Sequence, residues 1–309
     1  MKLVQALIPL LLVSFSAVSA AVPAERLSSK TLHLFDYDSH QPLDIHDKTL
    51  KEFGCGVIHD ITYVSPSGGL VSAYQIVPTG KGPFAAVIFG HWGNGTRGEF
   101  IPEAKTYACA GVISVLPDYS WERPRPWHSD IDDFSHPDLD RRTRIATVIE
   151  MRRAIDLLVS RTDVDPNRVA YIGHSFGAQW GAILGAVDRR LKAAVLMAGA
   201  AEEADMLLRS DNLQLVQLRA ALPKGQLETY LSVLEDVDAI NYVRYAQPTP
   251  LLLQFANFEQ YFDRASMERY AAAATEPKTV LFYDSAHDLN DPQASKDRFD
   301  WLAKRLALR

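Results

Sequence analysis

The stretch Arg168-Val-Ala-Tyr-Ile-Gly-His-Ser-Phe-Gly177 contains a Gly-x-Ser-x-Gly pattern, centred on Ser175, directly after a short apolar run. The apolar run predicts a buried strand, and the pattern that begins at Phe176 predicts a helix. The two glycines permit a tight turn between strand and helix, because they carry no Cβ. Such a turn exposes the Ser175 hydroxyl as a candidate nucleophile, and the Phe176 amide becomes a candidate oxyanion donor. An ordinary turn serine is the alternative, and the flanking elements favour the catalytic role.

Short apolar runs of the same kind recur along the chain, and helical patterns separate them. Such runs are typical of parallel strands that helices cover on both faces, since neither face then meets water. The runs span residues 84–89, 112–116, 169–172, 193–197, 250–255 and 279–283. The helical patterns span residues 100–110, 143–160, 176–187, 265–274 and 294–308. This alternation predicts a doubly wound α/β fold with a mostly parallel sheet.

Three segments fall outside this alternation. Residues 57–64 and 70–77 are rich in β-branched and aromatic residues and flank a Gly-rich turn, which predicts an antiparallel hairpin. Residues 23–50 are polar and irregular, which indicates an arm on the surface of the domain. Residues 199–247 form a mostly helical insertion that follows a strand end. Its apolar residues could form a core of their own or a cap over a substrate pocket, because ligands bind at strand ends in such sheets.

The amino-terminal residues 1–20 show the order expected of a secretory signal peptide. They begin with Met1-Lys2, continue through an apolar stretch and end in the small residues Val18-Ser-Ala20. The apolar stretch is shorter than the ~20 residues that a membrane-spanning helix needs. We therefore expect cleavage after Ala20, a single mature domain over residues 21–309, and a secreted or periplasmic protein without a membrane span.

Composition excludes several classes of function. The chain has 47% hydrophobic and 23% charged residues and a net charge of −6, as ordinary globular proteins do. Acidic and basic residues are interspersed, which argues against nucleic acid as a partner. No Cys-x-x-Cys pair or His-Glu-x-x-His helix implies a metal, and we expect no cofactor. Cys55 and Cys109 could pair after export, but two buried thiols are the favoured interpretation.

A base for the serine is predicted near the carboxyl end of the chain. A serine hydroxyl is a poor nucleophile until a base accepts its proton. His287 lies just past the last predicted strand and before the final helix, where a loop can reach back to Ser175. His174 lies inside the turn and is expected to point away from Ser175. The remaining histidines lie upstream in surface-like settings.

Two acids compete for the place beside the histidine, where a carboxylate would orient the imidazole and stabilise its charged form. Glu259 and Asp263 both follow the strand predicted at residues 250–255. Asp263 has the position of a helix N-cap, so a structural role is favoured for it. Glu259 is our choice of acid, and Asp263 remains the alternative.

A second oxyanion donor is expected on the loop after the strand at residues 84–89. The sequence there is Phe89-Gly-His-Trp-Gly-Asn-Gly95, and its glycines let the backbone turn its amides inward. The amide of Trp92 is the favoured donor, while His91 and the Trp92 ring could line the pocket. A simple turn is the alternative.

Together these motifs resemble the dienelactone hydrolase and prolyl-oligopeptidase-like branch of the α/β-hydrolases. The resemblance covers roughly residues 50–308. It rests on Gln75-Ile-Val-Pro78, Gly90-His-Trp-Gly93, Leu116-Pro-Asp-Tyr119, Asp163-Val-Asp-Pro-Asn-Arg168 with the turn that follows, and Ala286-His-Asp-Leu-Asn290. The chain departs from the family in the Gly-His order of the loop, in Ala178 after the turn, and in Glu259 where aspartate is common. The resemblance implies an α/β-hydrolase fold and a serine, histidine and acid triad in the order Ser175, Glu259, His287.

Three functions are compatible with these residues. The favoured one is a serine carboxylesterase that cleaves small esters through an acyl-enzyme on Ser175. Hydrolysis of small peptides or amides is the related alternative, although the chain has no room for the propeller of prolyl oligopeptidases. A binding protein that keeps the fold without the chemistry is the third. The physiological substrate and the oligomeric state stay open.

Overall fold

One nine-stranded sheet runs through residues 27–308, the part of the chain that the computed structural model describes. The strands are β1 (His46–Phe53), β2 (Gly56–Val64), β3 (Leu70–Pro78), β4 (Phe84–Gly90), β5 (Val112–Pro117), β6 (Val164–His174), β7 (Ala193–Met197), β8 (Leu251–Phe258) and β9 (Lys278–Ala286). Their order across the sheet is β1-β2-β3-β5-β4-β6-β7-β8-β9. The pairs from β1 to β5 are antiparallel, and the pairs from β5 to β9 are parallel. This arrangement confirms the predicted α/β fold with its antiparallel start.

Helices cover both faces of the parallel strands. They are α1 (Ser29–His33), α2 (Ile101–Cys109), α3 (Pro137–Val159), α4 (Phe176–Val187), α5 (Glu203–Leu207), α6 (Leu213–Ala221), α7 (Gln226–Leu234), α8 (Ile240–Val243), α9 (Arg264–Ala273) and α10 (Pro292–Arg305). Helices α3, α4, α8 and α9 contribute to one apolar core, and α2 and α10 contribute to a second. In β4, Ile88 belongs to the first core and Phe89 to the second, because successive side chains point to opposite faces. Both faces are therefore apolar, which explains the unbroken apolar runs.

The two edges of the sheet differ from the prediction. Residues 46–50, assigned to the surface arm, belong to β1, whose residues are almost all exposed. Because β1 pairs only with β2 and only its last residue, Phe53, packs against a core, its sequence carries no apolar alternation. At the other edge, β9 was predicted as a doubly buried strand but is mostly half-buried. An edge strand has one neighbour, so part of its surface stays open to solvent.

Cys55 and Cys109 form a disulfide, so the interpretation as two buried thiols was wrong. Cys55 lies in the turn between β1 and β2, and Cys109 is the last residue of α2. Their Cα atoms are 4.8 Å apart across a sequence separation of 54 residues. The bridge ties the antiparallel end of the sheet to a helix of the parallel part. Only the packing of α2 brings the two cysteines together, which the sequence could not indicate.

The insertion at residues 199–247 contains α5 to α8 and has a small core of its own. Its buried members are Leu207, Leu227, Tyr230, Leu234 and Val237. Ile145 of α3 packs against this core, so the insertion is attached to the main domain. Its role as a cap over a substrate pocket stays a prediction.

The signal peptide at residues 1–20 lies outside the described residues. Between residues 27 and 308, none of the helices has the length and the apolar character to cross a bilayer.

Candidate active site

Ser175 occupies a strained turn between β6 and α4. Its φ is 55°, a left-handed conformation that is uncommon for a residue with a Cβ. A Cβ at Gly173 would overlap with the carbonyl of Gly177, and one at Gly177 would overlap with the carbonyl of Gly90. The Ser175 amide donates to the Met197 carbonyl of β7 at 2.8 Å, which helps to hold the turn. Strain of this kind persists where the surrounding structure imposes it, and it is frequent at functional sites.

Three side chains predicted to work together lie within hydrogen-bond distance. His287 Nε2 is 2.9 Å from Ser175 Oγ. On the other side of the ring, His287 Nδ1 is 2.9 and 2.8 Å from the two carboxylate oxygens of Glu259. Ser175 and His287 are buried, and the Glu259 side chain is 1% exposed. A carboxylate can only accept, so His287 donates from Nδ1 and presents the lone pair of Nε2 to the serine hydroxyl.

The carboxylate of Glu259 is held in place by its own backbone turn. Glu259 follows β8, and its Oε1 accepts from the amides of Gln260 and Tyr261 at 2.8 and 3.0 Å. The Tyr261 ring also packs edge-on against the His287 imidazole, with the centroids 4.6 Å apart. The alternative acid, Asp263, accepts from the Ser266 amide at 2.8 Å and caps α9. The structure therefore brings Glu259 to His287 and gives Asp263 the capping role.

The role of the Trp92 amide as an oxyanion donor stays a prediction, and the structure gives this amide a partner. The Trp92 amide donates to Glu99 Oε2 at 2.9 Å, so a carboxylate already occupies it. His91 fixes the same loop, because its Nδ1 donates to the Trp92 carbonyl at 2.7 Å and its Nε2 accepts from the Tyr119 amide at 3.2 Å. Burial lowers the pKa of His91, in keeping with a neutral ring.

The other predicted donor, Phe176, is the first residue of α4. Amides in the first turn of a helix have no partner within the helix. Among the hydrogen bonds of residues 27–308, the Phe176 amide donates none, whereas the next amide, that of Gly177, donates to the His91 carbonyl at 3.2 Å. The Phe176 amide is thus open beside Ser175.

Two residues that we did not single out for a role also belong to this site. His174 points away from Ser175, as expected, and lies against the backbone of His287, while Glu99 contacts the His174 ring. A buried histidine inside the turn was visible in the sequence. Nothing local marked Glu99, which lies in the loop ahead of α2.

A cavity of about 930 Å³ adjoins the site, and His287 lies in its wall. Its size is that of pockets for small molecules. Aromatic side chains and charged side chains share the lining. The aromatic ones are Trp92, Phe100, Tyr261 and Phe299, and the charged ones are Glu99, Glu103, Asp288, Lys296 and Arg298. All lining residues lie outside the insertion at 199–247.

Over residues 27–308, three or more His, Cys, Asp or Glu side chains do not come together in a way that could hold a metal ion.

Several solved structures have a fold similar to that of this chain. An acetyl xylan esterase from a Paenibacillus species is similar over 89% of this chain and 92% of its own, with 18% identity and a TM-score of 0.73. Acetyl xylan esterase 1 from Thermoanaerobacterium is similar over 90% and 92%, with 16% identity and a TM-score of 0.73. A putative dienelactone hydrolase from Klebsiella pneumoniae is similar over 81% and 98%, with 17% identity and a TM-score of 0.55. The chain has the α/β-hydrolase fold. No family model and no curated protein matches the sequence.

Proposed function

We propose that the protein is a serine hydrolase that cleaves carboxylic esters of small substrates through an acyl-enzyme on Ser175. The observation that carries the proposal is the continuous line of hydrogen bonds from Ser175 Oγ through His287 to the Glu259 carboxylate. A serine hydroxyl, a neutral imidazole and a buried carboxylate in this order are what nucleophilic catalysis of acyl transfer requires.

In the proposed reaction, Ser175 Oγ attacks the ester carbonyl while its proton moves to His287 Nε2. Glu259 stabilises the imidazolium that forms, and the Phe176 amide donates to the oxyanion of the tetrahedral intermediate. Collapse of the intermediate breaks the bond to the alcohol, which leaves with the proton from His287. Water then loses a proton to His287 and attacks the acyl carbon. The bond from that carbon to Ser175 Oγ breaks, His287 returns the proton to Oγ, and the carboxylic acid leaves.

The names of the structures with a similar fold favour an ester over an amide as the substrate. Two of the similar structures are named acetyl xylan esterases, and others are named esterases. The cavity beside His287 has the size of a small-molecule pocket, although Ser175 is not among its lining residues. Peptide or amide hydrolysis and binding without catalysis remain the alternatives, the first sharing the same nucleophile and the second using only the cavity.

We also propose that residues 1–20 direct export and that the mature protein acts outside the cytoplasm. The Cys55–Cys109 disulfide supports this location, because disulfides persist in oxidising compartments.

The test is covalent labelling of the purified protein with a fluorophosphonate, followed by turnover of p-nitrophenyl acetate. Ser175→Ala should lose the label and at least ~10⁴-fold in kcat. Ser114→Ala, a buried serine of β5 outside the site, is the matched control and should retain both. Wild-type protein that takes no label and turns over no ester would contradict the proposal.

A panel of substrates separates esterase from peptidase. We expect kcat/KM to be higher for short p-nitrophenyl esters than for aminoacyl p-nitroanilides. Turnover of the anilides at a higher kcat/KM would favour the peptidase.

A further inference from the structure

A second carboxylate and imidazole pair lies behind His287. His174, the last residue of β6, places Nδ1 2.7 Å from Glu99 Oε1 and Nε2 2.9 Å from the backbone carbonyl of His287. The other oxygen of Glu99 accepts from the Trp92 amide at 2.9 Å. The His174 side chain is 5% exposed and that of Glu99 is 22% exposed, so water competes little for these bonds. One line of hydrogen bonds thus joins the loop after β4 to the loop that carries His287.

The direction of each bond in this line is determined by its ends. The His287 carbonyl can only accept, so His174 Nε2 carries a hydrogen. The Trp92 amide can only donate, so Glu99 Oε2 is an acceptor. Between them, a single proton is shared by His174 Nδ1 and Glu99 Oε1, and either location of that proton satisfies both atoms. The pair therefore keeps both outer bonds in either form, as an imidazolium with a carboxylate or as a neutral imidazole with a carboxylic acid.

We propose that Glu99 and His174 are positioning residues, which clamp the loop after β4 to the backbone of His287. The inference rests on the proposed function, because it assigns the clamp to the same site. His287 follows β9, the edge strand of the sheet, where one neighbouring strand supports it. The Tyr261 ring and the Glu259 carboxylate hold the imidazole, whereas His174 is the described donor that holds the carbonyl. A shift of this backbone would move Nε2 away from Ser175 Oγ.

The clamp predicts a loss of kcat rather than of substrate affinity. A reacting group displaced by ~1 Å can lose ~10²-fold in rate. Glu99→Leu and His174→Phe each remove the bonds and should lower kcat by ~10- to 100-fold, with KM within about threefold of wild type. Because both substitutions break one line, the double variant should lose little more than either single variant.

Glu99→Gln is the conservative variant. Its amide oxygen can accept from the Trp92 amide, and its NH₂ group can donate to the lone pair on Nδ1 of a neutral His174. His174 Nε2 then still donates to the His287 carbonyl. We expect this variant to recover most of the rate that Glu99→Leu loses, which a requirement for the carboxylate charge would not allow.

The matched control is Asp47→Leu. Asp47 Oδ1 lies 2.8 Å from His59 Nδ1, so this pair has the same chemistry, but it lies between β1 and β2 at the far edge of the sheet. Its kcat should equal that of wild type. Circular dichroism gives the melting temperature of each variant, and titration with a fluorophosphonate counts the reactive serines. The measured rates can then be expressed as kcat per folded site.

Several outcomes would overturn the clamp while leaving the hydrolase intact. One is an active wild type in which folded Glu99→Leu and His174→Phe keep kcat within twofold. Another is additive losses in the double variant. A third is a rise in kcat on removing Glu99, because the carboxylate would then be competing with substrate for the Trp92 amide. If Glu99→Leu does not fold, Glu99→Gln and His174→Phe still decide, since the clamp requires the first to keep its rate and the second to lose it. An inactive wild type would instead contradict the proposed function.

Discussion

Two buried imidazoles, each paired with a glutamate, lie side by side in this protein and differ in what faces the far nitrogen of the ring. The rings of His174 and His287 have centroids 5.2 Å apart, and each ring contacts a glutamate through Nδ1. Nε2 of His287 faces the Ser175 hydroxyl, whereas Nε2 of His174 faces a backbone carbonyl. A hydroxyl can give up a proton and a carbonyl cannot. Similar pairs can therefore serve proton transfer in one place and rigid positioning in the other.

The two pairs show which property of a buried histidine identifies it as a general base. Burial and an acidic neighbour are common to both pairs, so neither property identifies a general base. The partner of the second ring nitrogen does identify a general base, because it decides whether a proton can be transferred to that nitrogen.

The largest expected effect separates the two histidines. His287→Ala removes the only ring that touches Ser175 Oγ among the described contacts, and kcat for p-nitrophenyl acetate should fall by ~10⁴-fold or more. The loss should exceed that of His174→Phe by at least ~10²-fold, since the latter only displaces the base. Steady-state kinetics on proteins with matched melting curves measure both. Equal losses of kcat in the two variants would contradict the assignment of His287 as the base and His174 as a positioning residue.

The next effect concerns the two glutamates. Glu259→Gln leaves an oxygen for the amides of Gln260 and Tyr261 but removes the charge that stabilises the imidazolium. We expect kcat to fall by ~10²- to 10⁴-fold. Glu99→Gln should lose far less, because its role needs hydrogen bonds and no charge. The ratio of the two kcat values is the measurement, and a ratio near one would mean that both carboxylates act alike.

A smaller effect, on stability and not on kcat, is expected for a buried carboxyl that has no imidazole beside it. Asp238, in the insertion, accepts from the Glu203 amide at 2.9 Å, and burial raises its pKa to about 7 from 3.8. Between about pH 4 and 7 the unfolded chain has lost this proton and the folded chain has kept it, so stability falls as the pH rises through this window. Asp238→Asn cannot ionise.

The stability of Asp238→Asn relative to wild type should therefore be higher at pH 8 than at pH 4 by about 4 kcal/mol, since each pKa unit of the shift from 3.8 to about 7 corresponds to about 1.4 kcal/mol. Urea unfolding at the two pH values measures this difference. A difference that does not change with pH would show that Asp238 is not held protonated.

The smallest effect tests the alternative acid. Asp263→Ala removes the cap of α9 and should cost about 1 kcal/mol of stability with no change in kcat. Asp291→Ala is the matched control, since Asp291 caps α10 by accepting from the Ala294 amide at 2.8 Å. Thermal unfolding and kinetics on both variants decide the point. A fall in kcat for Asp263→Ala alone, as deep as that of Glu259→Gln, would return Asp263 to the catalytic role.

Several elements were predictable because their signals are local. The strands of the parallel sheet carry unbroken apolar runs, since two cores cover them, and the turn at Ser175 is marked by its glycines. The edge strand β1 was missed for the converse reason, because a strand without a buried face has no hydrophobic pattern to read. The disulfide was missed because it depends on how α2 packs against the hairpin.

The amino-acid sequence by itself determined the order of the parallel strands and the helices between them, the strained turn that exposes Ser175, and a short set of candidate partners at the strand ends. Each depends on neighbours within a few residues, where periodicity, glycine and helix capping act. Only the tertiary structure decided that Glu259 rather than Asp263 meets His287, that Glu99 occupies the Trp92 amide, and that His174 holds the His287 carbonyl. These contacts join segments from different parts of the chain, and their hydrogen bonds form only once the sheet has set the distances between its loops.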